Sequence, residues 1–115
     1  MGQDLIKRKC TACVVGTTPL KGEALRPFFM QLGKGWEIMF EHHLEKTFTF
    51  KNSRKALDFA NIIGAIAEEE GHHPDLFLSW GVLKVHVWTH KIGGLSDNDF
   101  ILAAKIEAES ISHEV

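Results

Sequence analysis

The sequence predicts an α+β fold in which a four-stranded antiparallel sheet carries three helices on one face, in the order α-β-β-α-β-β-α. Two pairs of short segments alternate apolar and polar residues and are joined by turn-forming residues, which is typical of β-hairpins. Segments with apolar residues at helical spacing precede, separate and follow these pairs. This order favours helices segregated to one face of an antiparallel sheet.

Length and composition fit one globular domain. The chain has 115 residues, of which 44% are hydrophobic and 24% charged. Its formal net charge of -2 gives no basic surface for nucleic acid or for an anionic membrane. Because neither a signal peptide nor a membrane-spanning stretch is evident, we expect a cytoplasmic protein. We divide the chain into an N-terminal arm, residues 1–18, and a single domain, residues 19–115.

The arm contains one basic run, Lys7-Arg8-Lys9, and one Cys-x-x-Cys motif, Cys10 and Cys13. We expect the basic run to be solvated. The cysteines are compatible with half of a zinc site, with a redox pair, or with two reduced thiols in a mobile arm. A structural zinc ion needs four ligands, and the sequence has only these two cysteines, so we favour reduced thiols.

The first helix and the first hairpin follow the arm. Residues 23–32 have helical spacing, but Pro27 removes a backbone donor, so this helix should be short, kinked or late in starting. A Gly-Lys-Gly sequence at 33–35 should end it. Residues 36–40 and 44–50 then have the pattern of two paired strands.

A long amphipathic helix is predicted at residues 53–70, with Ser53 as its N-cap. Its apolar positions form a wide arc that consists of Ala56, Phe59, Ala60, Ile62, Ile63, Ile66 and Ala67. An arc this wide can cover a sheet and still leave surface for another subunit. The strands at 36–40 and 83–89 are also expected to leave free edges, so we predict a homo-oligomer.

The second hairpin comprises strands at 76–80 and 83–89, with Gly81 in the turn. Alternation places Leu83, Val85 and Val87 on one face of the second strand, and Lys84, His86, Trp88 and His90 on the other. Ser96 and Asp99 have the spacing of a capping box for a final helix. The residues expected to face inward along that helix are Ile101, Ala104, Ala108 and Ile111.

Three histidines and two carboxylates fall within a short part of the chain: Glu68, His72, His73, His90 and Asp99. Imidazole gives and takes protons near neutral pH, so several together can act as an acid at one atom and a base at another. Two adjacent histidines followed by Pro74 just after a helix are hard to explain as core filling. The cluster therefore predicts proton-transfer chemistry on an organic substrate.

Structural explanations compete for the carboxylates. Asp99 is at least as well explained as the capping residue of the final helix. Glu68 lies four residues before His72 and should pair with it if the helical path persists that far. Because the end of a helix disfavours negative charge, at least one of the three acids at 68–70 should have a compensating partner. We expect Glu69 and Glu70 to form a solvated acidic turn.

We predict no metal at the histidine cluster. Neighbours in an extended segment point to opposite sides, so His72 and His73 are not expected to bind one ion, and a helical His-x-x-x-His pattern is missing. Acid/base catalysis without a metal or a cofactor is the better interpretation. Outside the cluster, we expect His42 and His43 in a solvated turn. His86 shares a strand face with His90 and could belong with it or could equally be an exposed strand residue.

The same residues closely resemble the motif of a known family. Glu68, the His-His-Pro run at 72–74, Trp80, His90 and Asp99 stand at the spacing of the pterin-4a-carbinolamine dehydratase family, also known as the dimerisation cofactor of a homeodomain transcription factor. The similarity extends over most of the chain after about residue 19. It implies the four-stranded sheet with three helices described above, and assembly as a homodimer or homotetramer.

The resemblance also implies a reaction, the dehydration of 4a-hydroxytetrahydrobiopterin to the quinonoid dihydropterin, with a functional link to an aromatic amino acid hydroxylase. It implies acid and base roles for His72 and His90, a catalytic or substrate-holding role for His73, and supporting roles for Glu68 and Asp99. The pterin-binding positions that it implies are His72, His73, Pro74, Thr89, His90 and Lys91.

Two other functions stay open. One is a dimerisation or coactivator module, and the other is an enzyme of the same fold that acts on another pterin, such as a molybdopterin-related compound. The intact histidine set favours the enzyme. Family members often have a bulky aromatic residue where this chain has Leu76, and an acidic residue where it has Gly71, so the sequence does not fix the preferred pterin side chain.

Overall fold

The computed structural model describes residues 2–12 and 14–112 and contains one four-stranded antiparallel sheet. Its strands are β1 (Glu37–Met39), β2 (His43–Thr49), β3 (Asp75–Ser79) and β4 (Val82–Val87). They lie in the order β1-β2-β4-β3. The predicted α+β class and the two hairpins are therefore confirmed. Pairing of the hairpins through β2 and β4 makes β4 an interior strand, so the expectation of a free edge there is wrong, and β1 and β3 form the edges.

The helices are α1 (Gly2–Lys7), α2 (Arg26–Phe29), α3 (Ser53–Glu70) and α4 (Asp97–Ser112), with 3-10 turns at Gly22–Leu25 and His90–Ile92. The structure thus adds α1 to the three predicted helices. The helix around Pro27 is short, as predicted, because a 3-10 turn leads into a single α-helical turn that has the proline at its start. Among the described residues, no helix combines the length and apolar character needed to cross a bilayer.

Alternation along β4 separates the two faces of the sheet as predicted. Leu83, Val85 and Val87 are fully buried in the core, against which α3 and α4 pack. The opposite face carries Lys84 and His86. The strand ends at Val87, however, so the predicted extension to residue 89 is wrong. His90 begins a 3-10 turn instead of continuing the polar face of the strand.

Both ends of α3 are set by single residues. The N-cap is Asn52 and not Ser53, because the Asn52 side chain accepts a hydrogen bond of 2.9 Å from the Lys55 N–H. At the other end Gly71 has φ +67°, a left-handed conformation that glycine adopts without strain. Its N–H donates to the Ala67 carbonyl, which ends the helix and turns the chain toward His72.

One half of the predicted capping box of α4 is present, since the Asp99 carboxylate caps Ser96, whereas the Ser96 hydroxyl bonds to Thr89 instead of the Asp99 N–H. The Ser96 N–H donates to Asp99 Oδ2 at 2.8 Å, and the Asp99 N–H donates to the Ser96 carbonyl at 3.1 Å. Ile101 and Ala104 are buried as predicted, but Ile111 is 73% exposed. Helical spacing identifies which side of a helix is apolar, but it does not show where the partner surface stops. The exposure of Ile111 shows that the covering surface ends before this residue.

The expectation of a mobile arm is wrong for α1, which packs on the domain, whereas the basic run Lys7-Arg8-Lys9 is exposed as expected. Leu5 on α1 is 1% exposed and belongs to the hydrophobic core, and α1 packs on α4. Arg8 forms an ion pair of 2.6 Å with Asp97 at the start of α4. Cys10 is a free thiol, whereas Cys13 lies outside the described residues. The division at residue 18 stays a prediction.

Glu70 holds the arm to the domain. The buried carboxylate accepts hydrogen bonds from Lys105 at 2.5 Å and from the backbone N–H of Cys10 at 2.9 Å. The expectation of a solvated Glu70 is therefore wrong, whereas the expectation that one acid of this turn has a partner is confirmed. Burial by itself raises the pKa of Glu70, but the hydrogen bonds and the charge of Lys105 outweigh it and lower the pKa below its ordinary value.

The substitution Glu70→Gln should lower the free energy of unfolding at neutral pH by about 1.5–3 kcal/mol, the usual worth of a hydrogen bond to a charged group. Because the pKa of Glu70 is lower in the folded state than in the unfolded state, the ionised carboxylate stabilises the fold at pH values above its ordinary pKa of 4.5. This stabilisation is lost as the pH falls through the folded-state pKa. Denaturant unfolding of wild type and variant should therefore converge in acid.

The exposed neighbour Glu69 provides the matched control, since Glu69→Gln should change stability by less than about 0.5 kcal/mol at any pH. A difference between wild type and Glu70→Gln that stays constant from neutral pH into acid would contradict the ion-pair account.

Candidate active site

A cavity of about 390 Å³ opens where the C-terminal end of α3, the start of β3, the end of β4 and the start of α4 meet. The volume lies within the usual range of small-molecule sites, roughly 300–1,000 Å³. All six positions predicted to contact substrate line this cavity: His72, His73, Pro74, Thr89, His90 and Lys91. They come from two loops far apart in sequence, which the pairing of β3 with β4 brings together.

Asp99 holds His72 from behind the cavity. Its carboxylate is fully buried, and Oδ1 lies 2.6 Å from Nε2 of His72. Oδ2 accepts hydrogen bonds from the Thr89 hydroxyl and from the Ser96 N–H, each at 2.8 Å. Because three groups fix this carboxylate, the orientation of the His72 ring is fixed as well. Asp99 uses only Nε2, so Nδ1 is the ring nitrogen left for a ligand.

Glu68 contacts His73 and not His72, contrary to the sequence-based expectation. Its Oε2 lies 2.5 Å from Nε2 of His73. The helical path does not persist through Gly71, whose left-handed conformation swings His72 toward Asp99 and leaves His73 next to Glu68. Both partners of this pair are largely exposed, with side-chain exposures of 58% for His73 and 79% for Glu68, so solvent weakens their attraction.

Asp75 and Trp88 complete the side of the cavity that contains His90. The Trp88 indole N–H donates to Asp75 Oδ2 at 3.0 Å, and the same oxygen lies 3.7 Å from Nε2 of His90. The rings of Trp88 and His90 have centroids 3.9 Å apart. Sequence reasoning singled out Trp80 as the aromatic residue of the motif, but Trp80 is 69% exposed and does not line this cavity. The alternation predicted from residue 83 onward placed Trp88 on the same side as His90, and this pattern could have identified Trp88 as a residue of the site.

The N-terminal arm supplies another wall that sequence reasoning missed. Thr11 and Ala12 line the cavity, together with Asn98 of α4. The Asn98 side chain clamps the backbone of Thr11, since Oδ1 accepts from the Thr11 N–H at 3.0 Å and Nδ2 donates to the Thr11 carbonyl at 2.7 Å. Asn98 is buried. Nothing in the spacing of the sequence signals a contact between positions 87 residues apart.

Cys10 sits beside this clamp and is unsuited to nucleophilic chemistry. Burial is the main cause that raises the pKa of its thiol to about 12, and the nearby carboxylate of Glu70 raises it further. Its Sγ donates to the Asn98 carbonyl at 3.5 Å. Since the thiolate is the reactive form of cysteine, the protonated Cys10 acts as a packing and hydrogen-bonding residue at neutral pH.

Comparisons with known proteins identify the family of the chain. Residues 18–109 match the model of the family described as pterin 4 alpha carbinolamine dehydratase. The chain belongs to this family. The match covers the whole sheet, α2, α3, and most of α4, so it includes every element that contributes a histidine to the cavity.

Relatives from bacteria match almost the whole chain. A protein of Alkaliphilus metalliredigens named as a pterin-4-alpha-carbinolamine dehydratase is 46% identical over 106 residues, which is 92% of this chain and 96% of the relative. A protein of Rickettsia canadensis with the same name is 50% identical over 105 residues, which is 91% of this chain and 96% of the relative. The family assignment therefore does not depend on the histidine motif alone.

Solved structures share the fold. The crystal structure of a transcriptional coactivator/pterin dehydratase from Brucella melitensis superposes with a TM-score of 0.72 at 25% identity, covering 79% of this chain and 97% of that one. A pterin dehydratase-like protein described as a RuBisCO assembly factor of the alpha-carboxysome has a TM-score of 0.55 at 20% identity, and covers 64% and 87% of the two chains. The second likeness concerns the fold alone.

The clamp on Thr11 can be tested by Asn98→Ala. Loss of both hydrogen bonds at a buried position should lower the free energy of unfolding by about 1–3 kcal/mol and should speed hydrogen exchange of the Thr11 amide. Asn61→Ala, at an exposed position of α3, is the matched control and should leave both quantities near their wild-type values. An unchanged exchange rate at Thr11 in Asn98→Ala would show that other contacts hold the arm.

Proposed function

We propose that the protein is a hydro-lyase that converts a 4a-hydroxytetrahydropterin into the quinonoid dihydropterin and water. The observation that carries the proposal is the cavity in which three imidazoles meet, one of them held by a fully buried carboxylate. Family membership supplies the substrate class. The localisation in the cytoplasm and the link to an aromatic amino acid hydroxylase are part of this proposal.

The reaction requires two proton transfers. The bond between C4a and the hydroxyl oxygen breaks, and because hydroxide leaves poorly, an acid must protonate that oxygen so that water departs. A base removes the proton from N5, and the electron pair of the N5–H bond forms the double bond between N5 and C4a. Oxidation state does not change overall, so the balanced equation calls for no redox cofactor and its proton transfers need no Lewis acid.

His72 is suited to the role of base. Asp99 engages Nε2 and so holds the tautomer that carries its proton there, which leaves the lone pair of Nδ1 to accept the N5 proton. The buried carboxylate then faces the imidazolium that forms. Asp99 acts as a positioning residue through His72. Its second oxygen is occupied by Thr89 and Ser96, so it cannot swing away during the reaction.

His90 is suited to the role of acid. It is 54% exposed at the mouth of the cavity, where it can exchange protons with water between turnovers. The carboxylate of Asp75 lies 3.7 Å from its Nε2 and faces the proton that the ring donates. Trp88 packs edge-on against the same ring and offers an apolar surface for the flat pterin. His73, exposed and paired with Glu68, is better placed to hold the substrate than to transfer the decisive proton.

The substitutions His72→Ala and His90→Ala should each lower the enzymatic dehydration rate by about 10²-fold or more, the usual contribution of a positioned acid or base. The rate is followed through the absorbance of the 4a-hydroxy substrate, after subtraction of spontaneous dehydration. His86→Ala, a histidine outside the cavity, is the control and should keep wild-type activity. Wild-type rates in both cavity variants would refute the mechanism.

His73→Ala should act mainly on substrate affinity. Because its ring lines the cavity but is exposed and solvent-screened, its loss should raise KM with a smaller effect on kcat. Glu68→Gln should have a weaker effect of the same kind, since Glu68 contacts His73 and not the cavity. A variant with an unchanged KM and a kcat reduced as far as in His72→Ala would instead assign His73 to the proton transfer.

The second candidate function is that of a dimerisation or coactivator module, which the Brucella melitensis coactivator/pterin dehydratase favours. In this chain the edge strand β3 and its turn expose large apolar side chains, namely Phe77, Leu78 and Trp80. An exposed apolar edge strand invites pairing with another chain. We infer a homodimer or homotetramer in which β3 is covered.

The remaining alternative is an enzyme of the same fold that acts on another pterin, such as a molybdopterin-related compound. Assaying that compound in parallel with the 4a-hydroxytetrahydropterin distinguishes the two activities.

The assembly is tested by sedimentation of the wild-type chain and of Leu78→Lys. The wild type should sediment as a dimer or tetramer at micromolar concentration, and a charge at the half-exposed Leu78 should shift it to a smaller species without loss of secondary structure. Met30→Lys, at an exposed apolar position away from the sheet, should behave as wild type. A monomeric wild type would rule out both the oligomer and the function as a dimerisation partner.

A further inference from the structure

A second group of histidines lies on the face of the sheet opposite the helices. His43 and Glu45 lie two residues apart on β2, so both point to this face, and Glu45 is the direct partner of His86 on β4. All three residues are partly buried, and none of them lines the cavity described above. The expectation of His43 in a solvated turn is wrong, because it begins β2 and is partly buried, and of the alternatives for His86 the fully exposed position does not apply.

Three potential ligand atoms converge in this group. Oε1 of Glu45 lies 2.9 Å from Nε2 of His86 and 3.7 Å from Nε2 of His43. The two imidazole rings are stacked, with centroids 4.6 Å apart. One ligand atom from each residue lies within 4.8 Å of the other two. In a tetrahedral zinc site with bonds of about 2.0–2.2 Å, ligand atoms are about 3.4 Å apart, so small side-chain rotations suffice.

The nitrogen Nε2 of His86 has an unusual environment. It is buried and makes no hydrogen bond to any residue that the structure describes, although Glu45 Oε1 is only 2.9 Å away. The distance alone would allow a hydrogen bond, but the geometry of the pair does not meet the angular requirement. A buried polar atom without a partner is costly, and a cation placed between the nitrogen and the carboxylate would satisfy both.

The surroundings suit a cation. Nδ1 of His42 lies 3.1 Å from Nδ1 of His43 and can fix the orientation of that ring. Across the sheet, Glu37 is the partner of Glu45, and Asp75 is the partner of His86, so acids flank the group on both sides.

We propose that His43, Glu45 and His86 form a binding site for a divalent transition metal ion of the zinc class. Two imidazoles and one carboxylate match the nitrogen and oxygen ligands that zinc accepts, whereas magnesium and calcium prefer oxygen alone. The fourth position faces water. Because its ligands come from β2 and β4, the ion links the strands that join the two hairpins, and it stabilises the folded state by binding it selectively.

The experiment uses the full chain, stripped of metal with a chelator and titrated with zinc by calorimetry and with cobalt by visible absorption. We expect one ion per chain, the intense absorption of tetrahedral cobalt, and a higher thermal midpoint in zinc. His86→Ala and the isosteric Glu45→Gln should each weaken zinc affinity at least about 10–100-fold, since even residues that only orient ligands contribute that much. Circular dichroism verifies that the variants are folded.

Two controls exclude the other candidate ligands. The double variant His72→Ala/His73→Ala removes imidazoles of the cavity, and Cys10→Ser/Cys13→Ser removes both thiols. Both should retain wild-type zinc affinity. Loss of binding in the cysteine variant, unchanged binding in folded Glu45→Gln and His86→Ala, or no stoichiometric binding by the wild type would each overturn the proposal. Since the dehydration does not use this site, chelation should leave that activity in place.

Discussion

The burial of one carboxylate constrains both the fold and the proposed chemistry. Asp99 is removed from water, so its two oxygens must be satisfied by the protein. One oxygen accepts hydrogen bonds from the Ser96 N–H at the start of α4 and from the Thr89 hydroxyl just after β4. The other meets His72, which follows α3. The start of α4, the end of β4 and the end of α3 are therefore tied at one point.

This arrangement explains why the two proposed proton-transfer groups differ in their surroundings. His72 is 13% exposed and bound to a carboxylate that cannot move, whereas His90 is more than half exposed and lies near the partly exposed Asp75. The base needs a fixed tautomer, and burial with a single well-held partner provides it. The acid must be recharged from solvent after each turnover, and exposure provides that. The proposed base and the proposed acid thus have surroundings that suit their different steps.

Much of the fold could be predicted from local pattern, because alternation along β4 and helical spacing in α3 and α4 depend on residues close in sequence. The predictions that were wrong depend on distant partners. Leu5 is buried only because α4 covers it, and Glu70 is buried only because Lys105 and the Cys10 backbone satisfy it. Neither the residues around Leu5 nor the acidic turn that contains Glu70 indicates these contacts in the sequence.

The candidate site divides in the same way. The histidines could be chosen from the sequence because their type and the adjacent Pro74 are hard to explain structurally, and the cavity brings them together. The pairing of Glu68 with His73 instead of His72 depends on the conformation of a single glycine, Gly71, which spacing alone does not reveal. The wall formed by Thr11 and held by Asn98 depends on packing of the arm.

The two histidine groups are separated by one aromatic side chain. Trp88 packs against His90 of the cavity at 3.9 Å and against His42 at 4.3 Å, and His42 in turn contacts His43. In the cavity, His72, His73 and His90 each lie near a different carboxylate. On the sheet, His43 and His86 share the single Oε1 of Glu45. Because one carboxylate oxygen stands between two imidazole nitrogens there, a single cation can contact all three ligand atoms at once, which the separate pairs of the cavity do not allow.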